Sequence, residues 1–149
     1  MFDLARKHWS PEPFTNRSRR PSEGQTLSVS AFDACVVEMA PVLEQNCILT
    51  DVGSVKAKAA EDMASSAPKG VHVIPGHPIA GTENSGPEAG FADLFRGAWH
   101  ILTPLESTAP AYLAAVEELQ KFWEGLGARV ETMTSDRHDR VLAITSHLP

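Results

Sequence analysis

The stretch ILTDVGSVKAKAAEDM, Ile48 to Met63, decides the fold: an apolar tetrad passes through Asp-Val-Gly-Ser directly into an alanine-rich, charged segment. CILTDV, Cys47 to Val52, has the branched, apolar make-up of a buried strand, and VKAKAAEDMASSA reads as the helix after it, ended by Pro68 and Gly70. Downstream, HVIPGHPIAGTENSG repeats the strand-to-turn geometry, this time with His77 at the turn.

Working outward, strands and helices alternate. TLSVS (Thr26 to Ser30) makes a short strand, and AFDACVVEMAPVLEQ a helix that Pro41 must break, because proline removes a hydrogen bond and clashes with the preceding turn. Strands follow at VHVIP (Val71 to Pro75) and AWHILT (Ala98 to Thr103), with a short helix between them at PEAGFADLF (Pro87 to Phe95). Leu113, Val116, Leu119, Phe122, Trp123 and Leu126 recur at spacings of three and four, so a helix runs from about Ala109 to Leu126, with Ser107 or Thr108 as its cap and Gly127 at its end. ARVETM is a last strand, and SDRHDRVLAITSHLP a helix opened by Ser135 and Asp136, with Val141, Leu142, Ile144 and Leu148 on its apolar face. Short connections between alternating elements give an α/β fold, a mostly parallel sheet flanked by helices, in which ligands sit at the carboxyl ends of strands.

Composition narrows the function. The 149 residues fit one domain, and 42% hydrophobic content supplies a core. A net charge of -6 disfavours nucleic acid and anionic membranes as partners, leaving small molecules. Cys35 and Cys47 are too few for a disulfide framework and read as small buried hydrophobes in a reducing, cytoplasmic setting. No apolar run approaches the ~20 residues of a membrane span. Residues 1–25, with three prolines and five basic residues but no periodicity, read as a disordered lead-in.

Two turns carry the candidate chemistry. In Asp51-Val52-Gly53-Ser54, Gly53 allows close backbone approach, and a helix beginning near Ser54 would aim unpaired N–H groups into the crevice. The plainer reading makes Ser54 a cap and Asp51 a complement to the helix dipole. In PGHPIAG, Gly76 and Pro78 hold a loop around His77, an exposed imidazole able to take a proton near neutrality, or else a histidine that merely packs the loop. Ser54, His77 and an acid do not make a hydrolase elbow, because VGSVK lacks the outer glycines of Gly-x-Ser-x-Gly. His72, His77 and the cysteines lack zinc-ligand spacing, so no metal site is expected. Trp99 and Trp123 read as core residues, and Lys56, Lys58 and Lys69 as a solvated face.

Several blocks in order, TDVGSVK (Thr50 to Lys56), GHPIAGTENSGPEAGFADLF (Gly76 to Phe95), ILTP (Ile101 to Pro104), Gly127-Ala128, His138-Asp139 and SHLP (Ser146 to Pro149), resemble the prephenate and arogenate dehydrogenases from about Thr26 to Pro149. The wording of PGHPIAGTENSGPEAGF is most similar to the cyclohexadienyl dehydrogenase branch. The resemblance implies the second half of a doubly wound Rossmann-type domain over 26–134 and the start of a helical C-terminal domain over 135–149. It implies NAD or NADP as cofactor, prephenate or arogenate as substrate, and a homodimer at full length. It places His77 at the substrate's ring hydroxyl, with Ser54 holding hydroxyl, histidine and nicotinamide in register. Thr82, Glu83, Ser146 and His147 would lie on the substrate side, and Ser30, Asp51 and Gly53 on the cofactor side. No Gly-x-Gly-x-x-Gly occurs in the sequence, so the pyrophosphate cradle of that fold is missing, and little turnover is expected of these residues alone. The other expectation left open is a binding or interaction module built from the same half-fold.

Overall fold

The computed structural model describes residues 31–81 and 90–147, with side chains at 35–81 and 90–144. The lead-in 1–25, the strand expected at Thr26 to Ser30, and the site residues Ser30, Thr82 and Glu83 lie outside the described residues.

Helix α1 spans Ala31–Met39 and passes into a 3-10 turn, Ala40–Val42, at the proline where a break is expected. Strand β1 is Ile48–Leu49, shorter than the sequence suggests, and helix α2 is Ala57–Ser66. Strands β2 (His72–Val73) and β3 (Gly76–Ile79) follow, then β4 (Trp99–Leu102), helix α3 (Pro110–Gly125), β5 (Arg129–Thr132) and α4 (Ser135–His147). The fold is α/β, with β1 and β2 parallel and β4 and β5 parallel, but β3 runs antiparallel to β4.

That antiparallel pair corrects one expectation: Gly76 to Ile79 is a strand, in register with Leu102 to Trp99, and not a loop. The chain from His72 to Ile79 therefore serves two sheets. Its first half pairs with β1, extended by Ile74 N–H donating to Leu49 O at 2.9 Å; its second half pairs with β4, extended by Thr103 N–H donating to Pro75 O at 2.8 Å. Pro78 fits this strand because, among the described residues, β3 pairs with β4 alone, and an edge position tolerates a missing N–H.

Two apolar clusters hold the layers. Ile74, Leu102, Tyr112, Ala115, Leu119, Trp123 and Ala128 join α3 to the sheet, while Val36, Leu49, Met63 and Val73 join α1 and α2 to it. The Tyr112 hydroxyl links the two, accepting from Leu105 N–H at 2.7 Å and donating to Val73 O at 2.8 Å. The buried face of α3 is rotated from the expected one: Leu113, Phe122 and Leu126 are exposed, and Tyr112 and Ala115 take their place beside Leu119 and Trp123. Gly127 ends this helix as expected, at φ +86°. Ser107 contributes by accepting from Ala109 N–H at 3.2 Å, although Ala109 holds the cap position.

Other expectations differ from the structure as well. Residues 92–97 form turns instead of the helix expected over Pro87 to Phe95. Trp99, at the start of β4, is 47% exposed, with the Arg129 guanidinium 5.8 Å from its ring centre. Cys35 is exposed and Cys47 half-buried, so neither is a core residue. Val141 and Ile144 of α4 are exposed as well.

Candidate active site

The site forms where β1 ends, α2 begins, β3 starts and α4 passes over them. Lys56, read from sequence as solvated, is fully buried and pins these elements together. Its Nζ pairs with the Asp51 carboxylate and donates to Gly76 O at 2.8 Å. Asp51 Oδ2 also accepts from Gly53 N–H at 2.9 Å, and Oδ1 from Gly76 N–H at 3.2 Å. Desolvation lowers the Lys56 pKa from its ordinary value, and the hydrogen bond and charge of Asp51 oppose that shift. The Asp-Val-Gly-Ser loop is thereby tied to the residue before His77. Asp51, expected on the cofactor side, is engaged internally through both oxygens.

Helix α2 starts three residues later than expected, at Ala57, and its N-terminus is not an open anion site. Asp139, on α4, takes its first N–H groups: Oδ1 accepts from Lys56 N–H and Oδ2 from Ala57 N–H, both at 2.9 Å. Ser54 is neither the cap nor buried; it stands exposed, and its hydroxyl has no hydrogen-bond partner among the described residues.

Alternation along β3 turns Gly76 and His77 to opposite faces. Gly76 faces His100, whose ring is fully buried and stacked on Trp123 at 3.8 Å between centroids. Neither nitrogen of His100 has a partner among the described residues. Burial, with smaller contributions from His77 and Lys56, pushes its pKa down to about 4.

His77 faces α4, where its Nδ1 lies 2.9 Å from Nε2 of the fully buried His138. The His138 Nδ1 lies 2.8 Å from Asp139 Oδ1, completing an Asp-His-His chain. Burial pushes the Asp139 pKa up, but the N–H groups of Ala57 and Lys56 and the His138 ring outweigh it and hold the carboxyl below its ordinary range. The far side of His77 opens, with Pro78, Ile79, Ala80 and Gly81, onto a shallow groove of about 390 Å³. Burial, then His138 and Lys56, lower its pKa to about 4, against the opposing charges of Asp51 and Asp139. The half-buried ring is thus not the freely exposed, ordinary imidazole that the sequence suggests.

Residues 27–132 match the family model described as the prephenate dehydrogenase nucleotide-binding domain. The chain belongs to the prephenate dehydrogenase family. It is similar to the cyclohexadienyl dehydrogenase of Zymomonas mobilis, 42% identical over 123 residues covering 83% of this chain and 41% of that protein. It is also similar to the prephenate dehydrogenase of Bacillus subtilis, 36% identical over 72% of this chain and 28% of that one. The crystal structure of the prephenate dehydrogenase from Aquifex aeolicus superposes with a TM-score of 0.70 at 34% identity, over 80% of this chain and 41% of that chain. The same enzyme has been solved with hydroxyphenyl propionate and NAD+. This prephenate dehydrogenase family chain thus spans less than half the length of each of these relatives.

Of the residues singled out in the sequence, the structure ties Asp51, which also holds the Gly53 N–H, to Gly76 beside His77, and among the described residues it shows no hydrogen bond between Ser54 and His77. Ser146 and His147 lie in the last turn of α4, where the backbone alone is described. Among the described residues no three His, Cys, Asp or Glu side chains are arranged to hold a metal ion. Sequence reasoning missed Lys56, His100 and the roles of His138 and Asp139. The last two were visible only as a quoted dipeptide at a helix start, and Lys56 as the final letter of TDVGSVK.

Proposed function

We propose that this chain carries the proton-accepting part of a prephenate or arogenate dehydrogenase, acting by oxidative decarboxylation of a cyclohexadienyl acid in tyrosine biosynthesis. The observation that carries the reading is the neutral His77 imidazole at the head of the groove, anchored on one side and open on the other. With its pKa near 4, the ring is unprotonated throughout the neutral range and has a lone pair ready for the substrate's ring hydroxyl. Acidic substrate groups beside it would offset the cationic influence of Lys56 and raise its basicity as they bind.

As His77 draws the hydroxyl proton, the oxygen lone pair forms a carbonyl and the ring C–H leaves as hydride. Loss of the ring carboxylate as CO2 then makes the ring aromatic. Bound NAD or NADP supplies the hydride acceptor. The described residues suit the nicotinamide end of such a cofactor: Gly53 leaves space on a loop braced by Asp51, and Ser54 offers a free hydroxyl. They do not suit its phosphates, because Asp139 already satisfies the start of α2. On this reading Ser54 aligns hydroxyl, histidine and nicotinamide, and such alignment lowers a barrier by several kcal/mol in roughly the manner of an intramolecular reaction. Thr82, Glu83, Ser146 and His147 complete the substrate side, and Ser30 joins Asp51 and Gly53 on the cofactor side.

The reading carries with it a cytoplasmic protein with small-molecule ligands, without nucleic acid or membrane as partner, and a homodimer at full length. The net charge of -6 supports the part of it that concerns nucleic acid and anionic membranes. Helix α4, with Val141 and Ile144 exposed, would open a second, helical domain.

Titration of prephenate and arogenate, each with NAD or NADP, into the chain labelled at histidine tests the assignment. The His77 ring resonances should shift on binding, and His77→Asn should cut any turnover by about 100-fold or more while changing cofactor affinity by no more than about twofold. Unmoved His77 resonances at saturating ligand, or equal losses in turnover and cofactor binding, would reject it.

A further inference from the structure

Hydrogen-bond polarity can be followed from the backbone of one helix to the free nitrogen of His77. Lys56 N–H and Ala57 N–H can only donate, so both oxygens of Asp139 accept. The Asp139 Oδ1 that faces His138 is therefore an acceptor there too, and the proton on the 2.8 Å contact belongs to His138 Nδ1. In a neutral His138 that is its one ring proton, which leaves a lone pair on Nε2. The 2.9 Å contact to His77 then requires His77 Nδ1 to donate.

We propose that His138 and Asp139 are positioning residues that hold His77 in the tautomer with its proton on Nδ1, leaving the lone pair on Nε2, the nitrogen available to a ligand in the groove. The inference rests on the reading of His77 as the proton acceptor and adds how the correct nitrogen is made available. One carboxylate performs two tasks, capping α2 and setting the polarity of the histidine pair. A change at Asp139 therefore reaches the Ser54 loop and the His77 ring together. In a free histidine the two tautomers exchange readily. Here burial of His138, fully removed from solvent, leaves no water to substitute for either partner.

The test reads a proton position and needs no turnover. In the chain labelled with 15N-histidine, long-range proton-nitrogen correlation at about pH 8 should show His77 protonated on Nδ1 and bare on Nε2, with a preference of about tenfold or more, as expected for roughly one net hydrogen bond. His138→Phe keeps a ring but no acceptor and should collapse that preference toward the ratio of free histidine. His138→Gln, with an amide oxygen for His77 and an amide N–H for Asp139, should restore much of it. A proton found on His77 Nε2 in the unaltered protein would overturn the proposal. So would an unchanged tautomer ratio in the Phe variant. Should that variant fail to fold, the unaltered protein and the Gln variant still decide, because a purely space-filling His138 would give no reason for the Nδ1 preference. Failure to bind prephenate or arogenate would count against the catalytic reading and leave the tautomer result standing.

Discussion

Replacing Gly76 with alanine should destabilise the protein by about 1–3 kcal/mol, the usual cost of overpacking a filled interior. Gly76 has no unusual φ; what it supplies is room. A Cβ there would lie 2.6 Å from His100 Nε2, 3.3 Å from His100 Cε1 and 3.3 Å from Leu102 Cδ2. Relief needs a displacement of roughly 0.8 Å to reach ordinary contact, and each route meets resistance in a close-packed core. His100 is stacked on Trp123, which Phe95 and Phe122 flank edge-on at 5.1 and 5.5 Å, and Leu102 is fully buried. Moving β3 instead would pull Gly76 away from Asp51 and Lys56 and would disturb the residue beside His77. Urea denaturation followed by tryptophan fluorescence measures the cost; at this size it corresponds to a melting shift of about 2–4 °C per kcal/mol. The cause is isolated by a cycle with His100→Ala, which removes the obstructing ring, so the double variant should recover about 1–2 kcal/mol relative to additivity. A loss below about 0.5 kcal/mol for Gly76→Ala, or strict additivity in the cycle, would refute the steric account.

Two further outcomes follow from the charges. Lys56→Met leaves the Asp51 carboxylate buried without its cation and should cost about 3–5 kcal/mol in the same denaturation assay, with an effect under about 1 kcal/mol contradicting the buried ion pair. His77 and His100 have folded-state pKa values near 4 against an ordinary 6.5, so between those values the unfolded chain binds more protons, and stability must rise with pH. The slope should reach at most about 1.4 kcal/mol per pH unit for each ring, less for half-exposed His77, and vanish above about pH 7. His100→Phe, which keeps the stack on Trp123, should flatten the acid limb measured between about pH 7 and pH 5; an unchanged slope would show that His100 does not titrate in this way.

The alternation of elements was legible in the sequence because each helix carries its own period and each strand its branched residues. Pro41 and Gly127 marked their boundaries for reasons local to the chain. What escaped was set by partners distant in sequence. β3 reads as a loop because Gly and Pro dominate it, yet pairing with β4 supplies the order that local propensity lacks. Lys56 reads as a surface lysine because lysines mostly are, and only Asp51 and the Gly76 carbonyl make its burial tolerable. Ser54 looked like the cap of α2 because serine precedes a helix there, but the cap arrives from Asp139, 83 positions away from the N–H it accepts.

The candidate site is divided in the same way. The loop and the histidine were recognisable as turn chemistry at the ends of strands. Their alignment depends on two carboxylates that grip His77 from opposite sides: Asp51 with Lys56 fixes the backbone entering it, and Asp139 through His138 meets its ring. If His77 is the proton acceptor proposed above, such double fixation would favour the transfer by limiting the geometries the imidazole samples. It also gives a reason why Lys56, Asp51 and His138 are buried beside the strand that carries His77. Water would serve Lys56, His138 and Asp51 well at a surface, so their burial carries a desolvation cost offset by contacts that together hold one ring in place.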